Sequence, residues 1–173
     1  MLNTRPANDT DCNAIWEIFR EVIAAGEAYP LDSAISREDA LAYWCQPDAH
    51  VYVAELDRKN RSSSRTASQV VGSYMLRPNQ SGGGVHVANA GFIVAKNARG
   101  QGVGRAMGEH CLNEARRLGF RAMQFNFVVS TNPAVQLWQD LGMKIVGTLP
   151  GAFRHPTRGY VDVYVMFQSF ENA

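Results

Sequence analysis

The sequence predicts a mixed α/β (α+β) fold, with residues 1–173 forming one domain. Three observations lead there. Strand-like and helix-like segments follow in the order strand, two helices, several strands, helix, strand, helix, strands, which is not the strict alternation of a doubly wound sheet. An apolar fraction of 46% with 19% charged residues is that of a packed globular chain, and 173 residues suffice for one substantial core. No internal repeat or shift in composition divides the chain.

Taken in order, Leu2 to Arg5 reads as a short first strand. Asp9 or Thr10 then offers an N-cap for a helix in which Ala14, Ile15, Ile18, Phe19, Val22 and Ile23 recur at helical spacing, and Gly26 ends it. Ser36 with Asp39 suits the start of a second helix carrying Ala40, Leu41 and Trp44 and stopping near Pro47. Val51–Leu56 and Val70–Leu76 are strand-like. Between them, the charged and serine-rich residues 57–68 suit a long surface loop. A second loop, Ser81–Gly84, leads into a strand from Val85 to Val94. Val103, Met107, Cys111, Ala115 and Leu118 mark one face of a helix that Gly119 closes. Ala122–Val129 is the next strand, and Asn132-Pro133 opens a short helix closed by Gly142. Lys144–Thr148 and Tyr160–Phe167 are two late strands.

Composition excludes several classes. No apolar run approaches the roughly 20 residues of a membrane helix, and no basic segment leads into an apolar stretch at the N-terminus. Cys12, Cys45 and Cys111 are an odd, scattered set that reads as reduced thiols of a cytoplasmic protein, with no zinc pattern or other metal site. A net charge of +1 gives no case for nucleic acid or a membrane surface. The basic residues of the 57–68 loop have no aromatic among them to stack on bases.

The most informative segment is Arg99-Gly100-Gln101-Gly102-Val103-Gly104, between a strand and an amphipathic helix. A helix N-terminus leaves about four N–H groups unpaired and attracts anions. Glycines there let a phosphate approach the amides, and Arg99 and Arg105 can add cationic contacts. The dinucleotide spacing G-x-G-x-x-G fails because position 105 is Arg, and the P-loop pattern is absent.

Phe92-Ile93-Val94 followed by Arg99-Gly-Gln-Gly-Val-Gly104 resembles the acetyl-CoA motif of the GNAT superfamily of N-acetyltransferases. Asn132-Pro-Ala-Val-Gln-Leu-Trp-Gln-Asp-Leu-Gly142 is similar to a second segment of that family. The resemblance covers roughly the last half of the chain. It implies a central, mostly antiparallel sheet flanked by helices and splayed where acetyl-CoA binds. The backbone of residues 99–104 would grip the pyrophosphate, Phe92 to Val94 would pair with the pantetheine arm, and Asn132 would lie near it. A narrower resemblance to the fungal-type acetyltransferases of proline analogues, such as azetidine-2-carboxylate, rests on Asn89–Val94, Phe125-Asn126, Thr131-Asn132 and Gly26-Glu-Ala-Tyr-Pro30. It implies that Asn89 and Asn126 contact the substrate.

Acetyl transfer needs an uncharged amine placed against a thioester. At pH 7 only about a thousandth of an alkyl amine is neutral, a cost of roughly 4 kcal/mol. Asn89 and Asn126 sit in apolar runs where an amide needs a partner, either a substrate group or nearby backbone. Asn132 also reads as an N-cap. Glu27 and Tyr29, after the first helix, are placed to close over the acceptor. Trp138 stands where many family members have a tyrosine acid, and an indole transfers no proton. His50, His86, His110 and His155 read as solvated or locally satisfied, and Cys111 faces the core, against an acetyl-cysteine intermediate. The sequence thus points to direct acetylation of a small-molecule amine, an amino acid or proline analogue. Protein or peptide N-acetylation, and a non-catalytic acyl-CoA sensor, stay open, as does a homodimer.

Overall fold

The computed structural model describes residues 1–59 and 66–170. Its strands form one seven-stranded sheet in the spatial order β1 (Leu2–Pro6), β2 (His50–Lys59), β3 (Thr66–Pro78), β4 (Val87–Val94), β5 (Ala122–Val129), β7 (Gly159–Ser169), β6 (Lys144–His155). Every neighbouring pair is antiparallel except β4 with β5. Helices α1 (Cys12–Ala25) and α2 (Arg37–Trp44) pack on one face, and α3 (Val103–Arg117) and α4 (Ala134–Asp140) on the other. The expected mixed, mostly antiparallel architecture is present, splayed between β4 and β5.

Period-two alternation sorts β3 and β4 between two cores. Tyr74, Leu76 and Ala88 face α3, packing with Met107, Cys111 and Ala115. Met75 and Ile93 face α1, packing with Ile15, Phe19 and Ile23. Trp44 ties α2 to this second core, its Nε1–H donating to the buried Ser73 Oγ at 3.0 Å.

Local signals set most of the ends. Gly26 closes α1 at φ 64°, and Ser36 caps α2 by accepting the Asp39 N–H at 3.0 Å. The start of α1 differs from the expected Asp9 or Thr10 cap. A 3-10 turn, Asp9–Asp11, precedes the helix and is capped by Asn8 in a reciprocal box with Asp11. The Arg5 guanidinium grips Asp11 through two bonds of 2.7 and 2.9 Å, which holds this turn in place.

The 57–68 segment is also less of a loop than its composition suggests. Asp57–Lys59 pair with Ser68–Thr66, so strand covers both of its ends, and residues 60–65 lie outside the described residues. The ladder uses main-chain groups alone, so charged and serine-rich sequence does not by itself break a strand. The Ser81–Gly84 loop contains a 3-10 turn at Gly82–Gly84. β6 runs on to His155, well past the expected Thr148. No helix among the described residues is long and apolar enough to cross a membrane.

Candidate active site

The parallel strands β4 and β5 pair only at Val87 with Ala122 and Ala88 with Met123, then part. Bonds from the Asn79 N–H to the Val87 carbonyl and from the Ala95 N–H to the Val71 carbonyl, both 2.8 Å, fix the phase of the β3–β4 ladder. Its alternation spends the main-chain groups of Asn89, Gly91 and Ile93 on β3. Those of Ala90, Phe92 and Val94 therefore point into the gap, where β5 offers no pairing. The Phe92 side chain lies against Trp138, ring centroids 4.6 Å apart, and Ile93 is buried against α1. The main chain of this strand, not its side chains, lines the gap.

Beyond β4 the chain makes a 3-10 turn at Lys96–Ala98 and reaches the glycines. Gly100 and Gly102 have φ of 74° and 79°, a region that side chains rarely adopt, and the space where a Cβ would project is open. Gly102 occupies the N-cap of α3 without a side-chain cap, and the first helical bond runs from the Ala106 N–H to the Gly102 carbonyl. The N–H groups of Val103, Gly104 and Arg105 thus have no acceptor within the helix. Arg99 is exposed beside this turn. Gln101 folds back to donate to the Asn97 carbonyl at 2.8 Å. Arg105 turns toward α4 and pairs with Asp140 at 2.9 Å, so the structure already engages one of the two arginines expected to face an anion.

On the α1/α2 face, at the narrow end of the gap, three asparagines meet. Asn89 Nδ2 and Asn126 Nδ2 both donate to Asn79 Oδ1, at 3.1 and 2.6 Å, and Gln124 Nε2 donates to Asn126 Oδ1 at 2.8 Å. A register shift between Phe125 and Val128 in β5 makes this possible. Phe125 and Val128 both belong to the α3 core, whereas Phe127 packs in a small cluster with Val129 and Phe153. The extra residue leaves Asn126 and Phe127 together off the α3 face, as a bulge does. The trio presents amide oxygens and N–H groups to anything entering the gap from this side. Nearby, a cleft of about 460 Å³ is lined by Arg77, Asn79, Gln80, Ser81 and Asp48.

Nothing in the sequence marks Asn79, because Pro78-Asn79 after a strand reads as an ordinary turn. Asn132 Oδ1 accepts the Ala134 N–H at 2.9 Å, a capping bond made from one residue before Pro133, which itself occupies the N-cap of α4.

Tyr29 crosses between the two helices' connection and the gap. Its ring packs edge-on to Phe19 at 5.7 Å, and its hydroxyl donates to the Phe92 carbonyl at 3.0 Å. Burial pushes the phenol well above its usual range, so it stays a donor. Glu27 lies exposed in the turn after α1, and no hydrogen bond or ion pair joins it to the asparagines. The same turn touches the β6–β7 connection, since a Cβ on Gly26 would lie 3.8 Å from Pro156 Cγ. Trp138 is buried between Phe92 and Phe125, and its indole N–H makes no hydrogen bond among the described residues.

Two histidines are locally satisfied. His110 Nδ1 meets the Tyr74 hydroxyl at 2.6 Å, and His155 Nδ1 accepts the Thr157 N–H at 3.2 Å. Cys111 is fully buried, and desolvation pushes its thiol far above the usual range. Among the described residues no group of three or more His, Cys, Asp or Glu could hold a metal ion.

A sequence model of the Acetyltransferase (GNAT) family matches residues 12–143. N-acetyltransferase aca1 of Schizosaccharomyces pombe is 31% identical over 162 residues, covering 87% of this chain and 78% of that protein. Among solved structures, a GCN5-related N-acetyltransferase from Kribbella flavida is 44% identical with a TM-score of 0.86, covering 97% of each chain. The structure of yncA from Salmonella typhimurium with its cofactor acetyl-CoA is 22% identical with a TM-score of 0.81, covering 100% of this chain and 96% of that one. At that identity the likeness is one of fold.

Proposed function

Because the chain belongs to the acetyltransferase (GNAT) family, we propose that it transfers the acetyl group of acetyl-CoA directly to the amine of a small amino acid or proline analogue. The observation that carries the acceptor half is the meeting of Asn89 and Asn126 on one oxygen, that of Asn79, at the narrow end of the gap.

The donor half rests on the glycine turn and the opened strands. The free N–H groups of Val103, Gly104 and Arg105, with the open approach over Gly100 and Gly102, suit a diphosphate. The main-chain groups of Ala90, Phe92 and Val94 would hold the amides of the pantetheine arm, and one of these N–H groups would face the developing oxyanion. Bound there, acetyl-CoA supplies an activated acyl group.

The asparagine amides orient the acceptor. No carboxylate or imidazole bonds to Asn79, Asn89 or Asn126 among the described residues, so these amides orient the acceptor without taking its proton, and the neutral amine is the reacting form. Accordingly, kcat/KM should climb with pH toward the amine's own pKa. Trp138 gives no proton, and no side-chain acid replaces it at that position.

The test is a thiol-release assay with acetyl-CoA and a panel of amines, with products read by mass. Release of CoA with small amino or imino acids is the expected result. Release only with peptide or lysine-bearing acceptors would replace the acceptor class, and binding without any release would identify an acyl-CoA sensor.

A further inference from the structure

One charged residue stands beside the asparagines. Arg77 pairs across the ladder with Asn89 and lies two positions before Asn79, so its side chain projects on the same α1/α2 face. Its Nη1 donates to Gln46 Oε1, and Gln46 Nε2 in turn donates to the Tyr43 carbonyl at 3.2 Å near the end of α2. Its Nε is buried and has no partner among the described residues. No carboxylate among the described residues forms an ion pair with it, although Asp48 lines the same cleft.

We propose that Arg77 binds the carboxylate of the acceptor, so that the substrates are amine-bearing carboxylates rather than simple amines. This rests on the acetyltransferase reading given above. Arg77 is partly buried and faces the cleft, and leaving a buried guanidinium N–H such as its Nε without an acceptor is costly. It carries five donors in a fixed fork matched to a carboxylate, and Gln46, a neutral partner, takes up little of that capacity. Its hydrogen-bond partner Gln46 and its ladder neighbour Asn89 are uncharged amides, and Asp48 lines the cleft without pairing with it among the described residues, which leaves the positive charge available to a ligand. With the carboxylate on Arg77 and Asn89 alongside, the amine of a small amino or imino acid falls toward the gap. A purely structural Arg77, bracing the Gln46 side chain beneath the Tyr43 carbonyl, would still leave its buried Nε without an acceptor.

The experiment measures kcat/KM, by CoA release, for small amino and imino acids and for their uncharged carboxamides, in wild type, Arg77→Gln and Arg77→Lys. Acetyl-CoA binding by calorimetry and thermal melting are recorded for each protein. The wild type should prefer each acid over its amide at least tenfold. Arg77→Gln should abolish that preference by raising KM for the acids alone, and Arg77→Lys should keep part of it, with acetyl-CoA affinity unchanged in both. Equal use of acid and amide by the wild type would overturn the proposal. So would a parallel loss on both acceptor types in the variants, or turnover confined to amines without a carboxylate. If Arg77→Gln does not fold, the acid-to-amide ratio of Arg77→Lys decides. A wild type that binds no acetyl-CoA would instead defeat the acetyltransferase reading itself, which separates the two failures.

Discussion

The Tyr29 hydroxyl donates a 3.0 Å hydrogen bond to the main-chain carbonyl of Phe92, joining the segment after α1 to the stretch of β4 that faces the gap. Gly91 is adjacent, and a Cβ there would lie 3.1 Å from the same hydroxyl. Tyr29 thus fixes one side of the opened strand. Removing a neutral hydrogen bond typically costs about 0.5–1.5 kcal/mol, and each kcal/mol lowers the melting temperature by about 2–4 °C in a chain of this size. Tyr29→Phe should therefore melt a few degrees lower and lose some acceptor kcat/KM. Because burial holds the phenol protonated, the pH profile should keep its shape. An unchanged melting temperature would show that this bond does not brace β4.

Much of the scaffold is legible from local pattern. The strand at Ala122–Val129 and the helix stops at Gly26 and Gly119 sit where periodicity and glycine put them. The glycine turn is legible because its chemistry is carried by consecutive residues. What was not legible depends on partners far along the chain. Asn126 and Asn79 are 47 residues apart, and the bulge that aims Asn126 follows from how β5 meets β7. Gly108 reads as an unremarkable helical glycine. Yet a Cβ there would come within 2.6 Å of Leu141 Cδ1 and 3.0 Å of Trp138 Cζ3, so it sets how closely α4 packs on α3. Arg77 is missed for the same reason, since nothing local marks a guanidinium that lacks an acid.

The glycine turn gives a clean test of the donor site at Gly104. Its φ is not positive, and a Cβ would meet Leu137 Cδ2 at an ordinary 3.5 Å. A glutamate in the first turn of a helix is itself favourable by about 0.3–1 kcal/mol, so Gly104→Glu should fold. The carboxylate would nevertheless repel a diphosphate at the same amides. CoA affinity should fall at least tenfold, about 1.4 kcal/mol, with melting temperature retained. Undiminished binding by calorimetry would move the pyrophosphate elsewhere.

Cys111 offers a test of direct transfer. Its thiol is fully buried in the α3 core and held protonated, which leaves it neither accessible nor nucleophilic. Cys111→Ala should lose some stability through the missing packing but keep most of kcat, and Cys12→Ala and Cys45→Ala should keep it too. Trapping an acetylated cysteine that goes on to product would overturn direct transfer.

Stability should depend on pH through Asp11. Hydrogen bonds from Arg5 hold its carboxyl below the usual range against the opposing effect of burial, and the Asn8 N–H adds to the lowering. A carboxyl with a depressed folded pKa stabilises the fold above its unfolded pKa of about 3.9, and that stabilisation is lost as pH falls toward the folded value. Asp11→Asn should cost about 1.5–3 kcal/mol near neutrality, the range for hydrogen bonds to charged groups. Chemical denaturation at a series of pH values should show the gap between wild type and variant closing below about pH 4. A gap independent of pH would mean that the loss is one of shape rather than charge.

The acceptor assignment stands or falls on Asn89 and Asn126. Both donate to Asn79 Oδ1, so each can hold a ligand without leaving the cluster, and Asn126 is exposed toward the solvent side of the bulge. Losing a hydrogen bond to a charged ligand group typically costs about 1.5–3 kcal/mol, so each alanine substitution should lower kcat/KM for the acceptor about tenfold to a hundredfold. CoA affinity should hardly move, because the amides that would hold the pyrophosphate belong to the start of α3, past the far end of β4 from Asn89. Asn79→Ala should do something different. It removes the shared oxygen, so both donors lose their partner together, and the double variant Asn79→Ala with Asn126→Ala should cost less than the sum of its singles. Additive losses would mean that Asn79 and Asn126 act apart. If instead Asn89→Ala and Asn126→Ala leave acceptor kinetics intact, or melting temperature and CoA binding fall in parallel with them, the asparagines brace the splayed strands and the acceptor lies elsewhere.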